Sequence, residues 1–335
     1  MIVKDRCAAL QEGFAPGWKV QEAPRPLEKT RMDLDRDDVS NPGGGFRMRQ
    51  PSAKDAFLTA PERSTETPAR AQSPALQTLD LTRRYGALTA LDRMNLTIRT
   101  GAIFGLLGPN GAGKSTAIKM LTTILPPSSG TALIAGFDIC KQPRDVRRHL
   151  GYIPQAVSAE NILTGGENMQ LFAKLYDVPS KVRRERIEEA LALVSLTEFS
   201  KTQVKRYSGG MIRRLEIAIA LVHRPPVLVL DEPTVGLDPA ARFAIWDRLH
   251  SLRQQNGMTI LITTHQMHEA EELCDEVAIL NKGQIVACGP ISALKAQIGP
   301  EASLDDVFIA HTGSTIEEGG FSDAFRSRRT AKRLD

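Results

Sequence analysis

Apolar and polar positions keep no sustained period along residues 1–75, and a regular pattern begins near Leu76. Residues 94–98, Met-Asn-Leu-Thr-Ile, alternate apolar and polar, as a half-buried strand does when successive side chains point to opposite faces. Residues 102–107, 227–230 and 260–262 are short apolar runs of the kind seen in strands buried on both faces. Stretches with helical spacing lie between them, at residues 116–125, 164–176, 180–194 and 209–222. Thr164 and Glu167 have the spacing of a capping box. Residues 277–280 and 284–287, joined by Asn281, Lys282 and Gly283, predict a hairpin. Strands alternating with helices predict an α/β domain on a mostly parallel sheet.

Composition changes the picture at the two ends. Pro16, Pro24, Pro26, Pro42, Pro51, Pro61, Pro68 and Pro74, eight of the chain's 20 prolines, fall in residues 1–75. The same stretch holds the Gly43–Gly45 run and the charges of Asp33 to Asp38. It buries too little apolar area to offset the entropy of ordering, so it is expected to be a disordered extension, with a docking arm as the functional alternative. Residues 311–335 form a tail carrying Arg326, Arg328, Arg329, Lys332 and Arg333. A solvated end is the simple reading and contact with acidic lipid heads the other.

Across the whole chain, 335 residues that are 41% hydrophobic suffice for a large core and about two domains. Apolar runs such as 227–230 fall far short of the about 20 residues a spanning helix needs. Lys4, Asp5 and Arg6 with no long apolar stretch beside them make a cleaved secretory signal unexpected. Cys7, Cys140, Cys274 and Cys288 form no CxxC pair, which argues against a disulfide framework or thiolate zinc site and fits a reducing compartment. A net charge of +4 is too mild to point to nucleic acid.

The strongest chemical signal is Gly108-Pro-Asn110-Gly111-Ala-Gly113-Lys114-Ser115, preceded by an apolar run and followed by helical spacing. Glycines let successive backbone N–H groups turn toward a phosphate, and the following helix adds its positive N-terminal end. Lys114 reaches β and γ phosphates in such a loop, the Ser115 hydroxyl ligates Mg²⁺, and Thr116 donates to a phosphate oxygen. Asp231 and Glu232 follow the buried run 227–230. Ligands of open parallel sheets sit at the carboxyl ends of strands, so Asp231 is placed to hold Mg²⁺ through water. Glu232 is expected to point the other way along the pleat and to act as general base toward water. Residues 260–262 deliver His265 to the same edge, where it can donate to a γ-phosphate oxygen. His265 and His268 also have the spacing of a metal pair, but no third ligand accompanies them and zinc is not expected.

Ser208-Gly209-Gly210 stands before the helical stretch 209–222, with Met211, Leu215, Ala218 and Val222 on one face and Arg213 and Arg214 just inside. Ser208 is a natural N-cap. The end of this helix reads either as an ordinary capped helix or as a second phosphate-binding element.

Together these motifs resemble the ATP-binding subunit of an ABC transporter over residues 76–310. Gly108 to Thr116 matches the Walker A loop, and Leu230 to Thr234 matches Walker B with its catalytic glutamate. Gln155 matches the Q-loop glutamine, which senses Mg²⁺ and the membrane partner. Tyr207 to Met211 matches the signature motif, Gly236-Leu-Asp238-Pro the D-loop, and His265 the switch histidine. Tyr85, 23 residues before Gly108, matches the aromatic that stacks on adenine.

The resemblance implies an α/β P-loop NTPase core with flanking helices, an antiparallel β portion, and a small helical subdomain at about residues 156–222. It implies catalytic roles for Glu232, His265 and Gln155, and Mg²⁺ ligation by Ser115, Gln155 and Asp231. It adds Ser208, Gly209, Gly210 and Asp238 to the nucleotide-binding set, the signature loop meeting the γ-phosphate held by the opposite subunit of a dimer. Tyr207 and Met211 depart from the common Leu-Ser-Gly-Gly-Gln, which removes any contact made through a glutamine side chain there. Tyr-Ser-Gly-Gly-Met, Gly166-Glu-Asn-Met-Gln-Leu171 and Ser303-Leu-Asp-Asp-Val-Phe308 are similar to the daunorubicin-resistance type of drug and antibiotic exporter.

The function implied is an ATP-hydrolysing motor subunit of an exporter at the cytoplasmic face of the membrane. Its partners would be a separate integral membrane permease and a second ATPase chain, identical or similar, with no specific nucleic acid. The alternative is a non-transport ABC ATPase that clamps nucleic acid or a protein complex. A regulatory ATP sensor is the non-enzymatic reading, opposed by Glu232 and His265. The chain has one Walker A loop, which disfavours a duplicated soluble translation factor.

Overall fold

The computed structural model describes residues 73–313. The proline-rich residues 1–72 and the basic tail after Gly313 lie outside them. Four strands form an antiparallel sheet in the order β2-β1-β4-β5, with β1 Leu76–Tyr85, β2 Leu88–Ile98, β4 Ser129–Ile134 and β5 Phe137–Asp138. Six form a second sheet, comprising β3 Ile103–Leu107, β6 Leu150–Ile153, β7 Val227–Asp231, β8 Thr259–Thr264, β9 Glu276–Asn281 and β10 Gln284–Pro290. Its order is β10-β9-β3-β8-β7-β6, parallel throughout except for the β9–β10 hairpin.

The apolar runs are continuous because the parallel strands serve two cores. Leu228, Leu230, Ile260 and Ile262 pack toward a helical layer. Val227, Val229 and Leu261, with Phe104 and Leu106, pack toward the antiparallel sheet, whose Leu76, Leu81, Leu91 and Ile98 close that core. Side chains alternate along each strand, so both alternating sets must be apolar.

Helix α1, Lys114–Leu121, follows β3, and α2, Pro143–His149, precedes β6. After β6 come α3, Gly165–Leu175, α4, Ser180–Leu193, and α5, Gly209–Leu221, which share the helical core. Helix α6, Pro239–Asn256, follows β7, and α7, Met267–Leu273, follows β8. Helices α8, Ile291–Ile298, and α9, Leu304–Thr312, end the described chain. Among the described residues no helix is long and apolar enough to cross a membrane.

Local signals place most boundaries. Thr164 and Glu167 make the reciprocal capping box at the start of α3, with Thr164 N–H donating to Glu167 Oε2 at 2.8 Å and Glu167 N–H to Thr164 Oγ1 at 3.2 Å. The β9–β10 turn holds Lys282 and Gly283 at φ 46° and 80°, which matches the twist of a two-residue hairpin. The helix expected at 116–125 instead runs from Lys114 to Leu121. Gly113 at φ 111° starts it early, and the Thr122 hydroxyl on Ile118 O with Thr123 at φ 61° stops it.

Candidate nucleotide site

The loop between β3 and α1 passes under the end of β9. A Cβ on Gly108 would lie 2.3 Å from Leu280 O, and one on Gly113 2.6 Å from Ala90 O of β2. Both positions therefore require glycine for space as well as for φ. Asn110, Gly111 and Ser115 are exposed and Thr116 half-buried, so the loop and first helical turn face solvent. Lys114 is only 5% exposed and folds back, its Nζ donating to Gly108 O at 2.7 Å and Pro109 O at 3.1 Å. Burial pulls its pKa down, opposed by the Glu232 and Asp231 carboxylates.

β7 ends at Asp231, a buried carboxylate that accepts from Thr263 Oγ1 of β8 at 2.5 Å. Glu232 then departs from the expected pleat. It sits at φ 48°, outside the strand, with its N–H on Thr263 O at 3.1 Å. The left-handed turn brings the carboxylate to the phosphate loop. Its Oε2 accepts from Gln155 Nε2 at 3.1 Å, its Oε1 lies 3.1 Å from His265 Nδ1, and Lys114 Nζ stands 4.0 Å away. Three sequence-predicted residues, Lys114, Gln155 and His265, thus meet around the carboxylate of a fourth, Glu232, at the carboxyl edge of the sheet. Burial and Asp231 push the Tyr152 phenol up to about 12, against the opposing pull of Arg213.

The oxygen-rich set of Ser115, Asp231 and Gln155 suits a hard divalent cation such as Mg²⁺, since Asp231 is held in place by Thr263 and Ser115 lies exposed in the first turn. His268 faces elsewhere, edge-on to Trp246 with ring centroids 5.8 Å apart.

The remaining predicted residues sit at the ends of other elements. Ser208 caps α5 through Met211 N–H at 3.2 Å, and Asp238 caps α6 through Ala241 N–H at 2.9 Å. The two helix starts press together, a Cβ on Gly210 falling 2.8 Å from Ala241 Cβ and one on Gly209 3.6 Å from Leu237. Tyr85 stands at the exposed end of the β1–β2 hairpin with the Arg83 guanidinium 4.6 Å over its ring. Arg213, which the helical spacing put beside a phosphate-facing helix start, is turned inward and buried.

Sequence reasoning passed over Thr263, which orients both Asp231 and the Glu232 backbone. It also passed over Glu269, buried on α7, which accepts from Thr234 Oγ1 at 2.6 Å and Trp246 Nε1 at 3.2 Å. A threonine closing an apolar strand run was the available signal for the first; the second had none.

The ABC transporter family profile matches residues 91–235. The linearmycin resistance ATP-binding protein LnrL of Bacillus subtilis is 37% identical over 252 residues, 75% of this chain and 79% of that protein. The Nod factor export ATP-binding protein I of Ralstonia nicotianae is 41% identical over 233 residues, 69% of this chain and 72% of its own. The daunorubicin/doxorubicin resistance ATP-binding protein DrrA of Streptomyces peucetius is 40% identical over 225 residues, 67% and 68% of the two chains. Among solved structures, an ATP-binding subunit of an ABC transporter superposes with TM-score 0.64 at 31% identity, over 70% of this chain and 98% of that one. A dimeric ATP-binding cassette, MJ0796, in a post-hydrolysis state with ADP and Pi superposes with TM-score 0.58 at 26% identity, over 64% and 98%.

Proposed function

The chain belongs to the ABC transporter family as an ATP-binding, ATP-hydrolysing subunit of the drug-exporter type, and from that premise we propose how its residues work and what they serve. Lys114 and the loop from Gly108 to Thr116 hold the ATP phosphates. Nucleotide phosphates replace Gly108 O and Pro109 O as partners of the Lys114 ammonium. Glu232 is the general base, oriented by Gln155 and His265. Ser115, Asp231 and Gln155 would hold Mg²⁺, which would supply charge neutralisation at the phosphates. Tyr85 stacks on the adenine.

Ser208, Gly209, Gly210 and Asp238 serve the ATP of a second chain. What supports this assignment is the arrangement of two helix starts packed together with Ser208 and Asp238 exposed, which suits a partner's nucleotide. Two chains close on two ATP molecules, the γ-phosphate bridging one Lys114 loop and the other Ser208 end, and hydrolysis removes the bridge. The work is delivered to a separate integral membrane permease at the cytoplasmic face of the membrane. The cargo class is a drug, antibiotic or similar small apolar compound, supported by the similarity to the linearmycin resistance protein LnrL and the daunorubicin/doxorubicin resistance protein DrrA.

The observation that carries this reading is the convergence of Lys114, Gln155 and His265 on the Glu232 carboxylate. The test is a pull-down of tagged Glu232→Gln from native membranes with ATP, read by mass spectrometry. A multi-span membrane protein in near-equal amount is the expected catch. Soluble proteins or nucleic acid alone, recovered with a trapped dimer, would instead establish a clamp.

A further inference from the structure

Arg213 and Glu216 lie one turn apart on α5 and form a buried ion pair, Nη1 to Oε2 at 2.9 Å, with 6% and 2% of the residues exposed. A buried pair contributes little net stability against well-packed apolar residues, so its other bonds indicate its use. The guanidinium makes three further bonds, all to backbone carbonyls. Nε donates to Pro233 O at 2.9 Å and Nη2 to Asp231 O at 3.2 Å, which flank Glu232 on both sides. Nη1 donates to Pro154 O at 2.7 Å, the residue before Gln155. Glu216 completes the frame, its Oε1 accepting from Ser158 N–H at 2.6 Å and Ser158 Oγ at 3.0 Å, three residues beyond Gln155.

One side-chain pair therefore grips both flanks of Glu232 and both flanks of Gln155. Glu232 needs such a grip. It holds φ 48°, a conformation that a residue with a Cβ keeps only where its surroundings impose it. Hydrogen bonds on the carbonyls before and after it fix that turn, and with it the direction of the carboxylate. The pair rides on the helix that begins at Ser208, so the helix start, the Gln155 loop and the Glu232 turn are tied into one body.

We propose that Arg213, balanced by Glu216, is the positioning residue that holds Glu232 and Gln155 in register with each other and with the Ser208 end of α5. Arg213 touches no reacting atom. It acts through Glu232, and the inference rests on the reading of Glu232 as the base. Lysine cannot replace it, because an ammonium lacks the planar fork that reaches Pro154, Asp231 and Pro233 together.

The experiment uses the full-length chain and measures ATP affinity and single-turnover hydrolysis in Arg213→Lys, Glu232→Gln and the double variant. Arg213→Lys is expected to lower the hydrolysis rate about tenfold to a hundredfold with ATP affinity kept within about threefold. In the Glu232→Gln background the same change is expected to shift the residual rate less than about twofold, since its effect runs through a base already removed. Wild-type hydrolysis in Arg213→Lys, a loss that multiplies on Glu232→Gln, or an equal loss of ATP affinity overturns the proposal. If Arg213→Lys fails to fold, Ser158→Ala deletes one bond to Glu216 without opening the core. A smaller loss of rate at unchanged affinity supports the proposal there, and wild-type hydrolysis overturns it. Wild-type hydrolysis in Glu232→Gln would sink the base assignment and this inference together. Inactive Glu232→Gln beside fully active Arg213→Lys would sink the inference alone.

Discussion

Gln155 Nε2 donates to Glu232 Oε2 at 3.1 Å, joining the residues that leave two neighbouring parallel strands, β6 and β7. With His265 on the other carboxylate oxygen, Glu232 is held from both sides. Gln155→Ala is expected to leave ATP affinity within about threefold and to lower hydrolysis about tenfold to a hundredfold, because the base loses an orienting partner while Lys114 and the other two Mg²⁺ holders, Ser115 and Asp231, remain. Equilibrium binding beside single-turnover hydrolysis checks this. Equal losses in both would place Gln155 in ground-state binding instead.

Ser208 caps α5 at the solvent-facing end where α5 meets α6. Ser208→Arg removes the acceptor, at a cost of about 1 kcal/mol, and adds bulk and charge where a second chain's phosphate would approach. In the Glu232→Gln background the variant is expected to bind ATP and to elute as a monomer from a sizing column. An ATP-dependent dimer in that column contradicts the assignment of this surface.

Tyr207 donates its hydroxyl to Phe199 O at 2.7 Å, and that hydroxyl is also the atom a Cβ on Gly165 would meet at 2.3 Å. Tyr207→Phe is expected to cost about 1 kcal/mol by removing one of the two hydrogen bonds on Phe199 O, the other coming from Thr202 N–H at 2.8 Å. Gly165→Ala is expected to cost about 1–3 kcal/mol by overpacking, and distinctly less when Tyr207 is already Phe. Urea titration of the two single variants and the double variant tests this; strict additivity means the hydroxyl is not the obstacle.

His223 stacks on Tyr176, ring centroids 4.1 Å apart, with Nε2 3.2 Å from Leu150 O. Burial, with Arg186 and His149 nearby, lowers its pKa to about 4, against the opposing pull of the Leu150 bond. An unfolded histidine titrates near ~6.5, so between these values the unfolded chain binds more protons and stability falls as pH falls. The contribution is fully present above about pH 6.5 and lost by about pH 4, a total of about 3 kcal/mol. His223→Phe keeps the stack and removes the titration. Its urea midpoint is expected to fall less between these pH values than that of the parent chain, and parallel curves would show that His223 is not the group responsible.

The fold class and the phosphate loop were legible in the sequence because each rests on local order. Lys114 follows Gly113 in the chain, the apolar run of β7 ends at Asp231, and Thr164 caps α3 three residues before Glu167. The direction of Glu232 was not legible. The pleat of β7 predicts the opposite face, and the φ of 48° is imposed by Thr263 on β8 and by carbonyl contacts from α5. Arg213 likewise reads as a surface cation beside a helix start until its acceptors, up to 59 residues away, are brought to it.

By itself, then, the amino-acid order determined the strands and helices, the glycine-lined cradle and the list of polar side chains delivered to one sheet edge, since periodicity, capping and turn preference act over a few residues. Tertiary structure alone decided which of those side chains face one another. The Gln155–Glu232–His265 cluster and the Arg213–Glu216 frame join segments far apart in the chain, and the parallel pairing of β6, β7 and β8 together with the bonds from α5 sets their geometry.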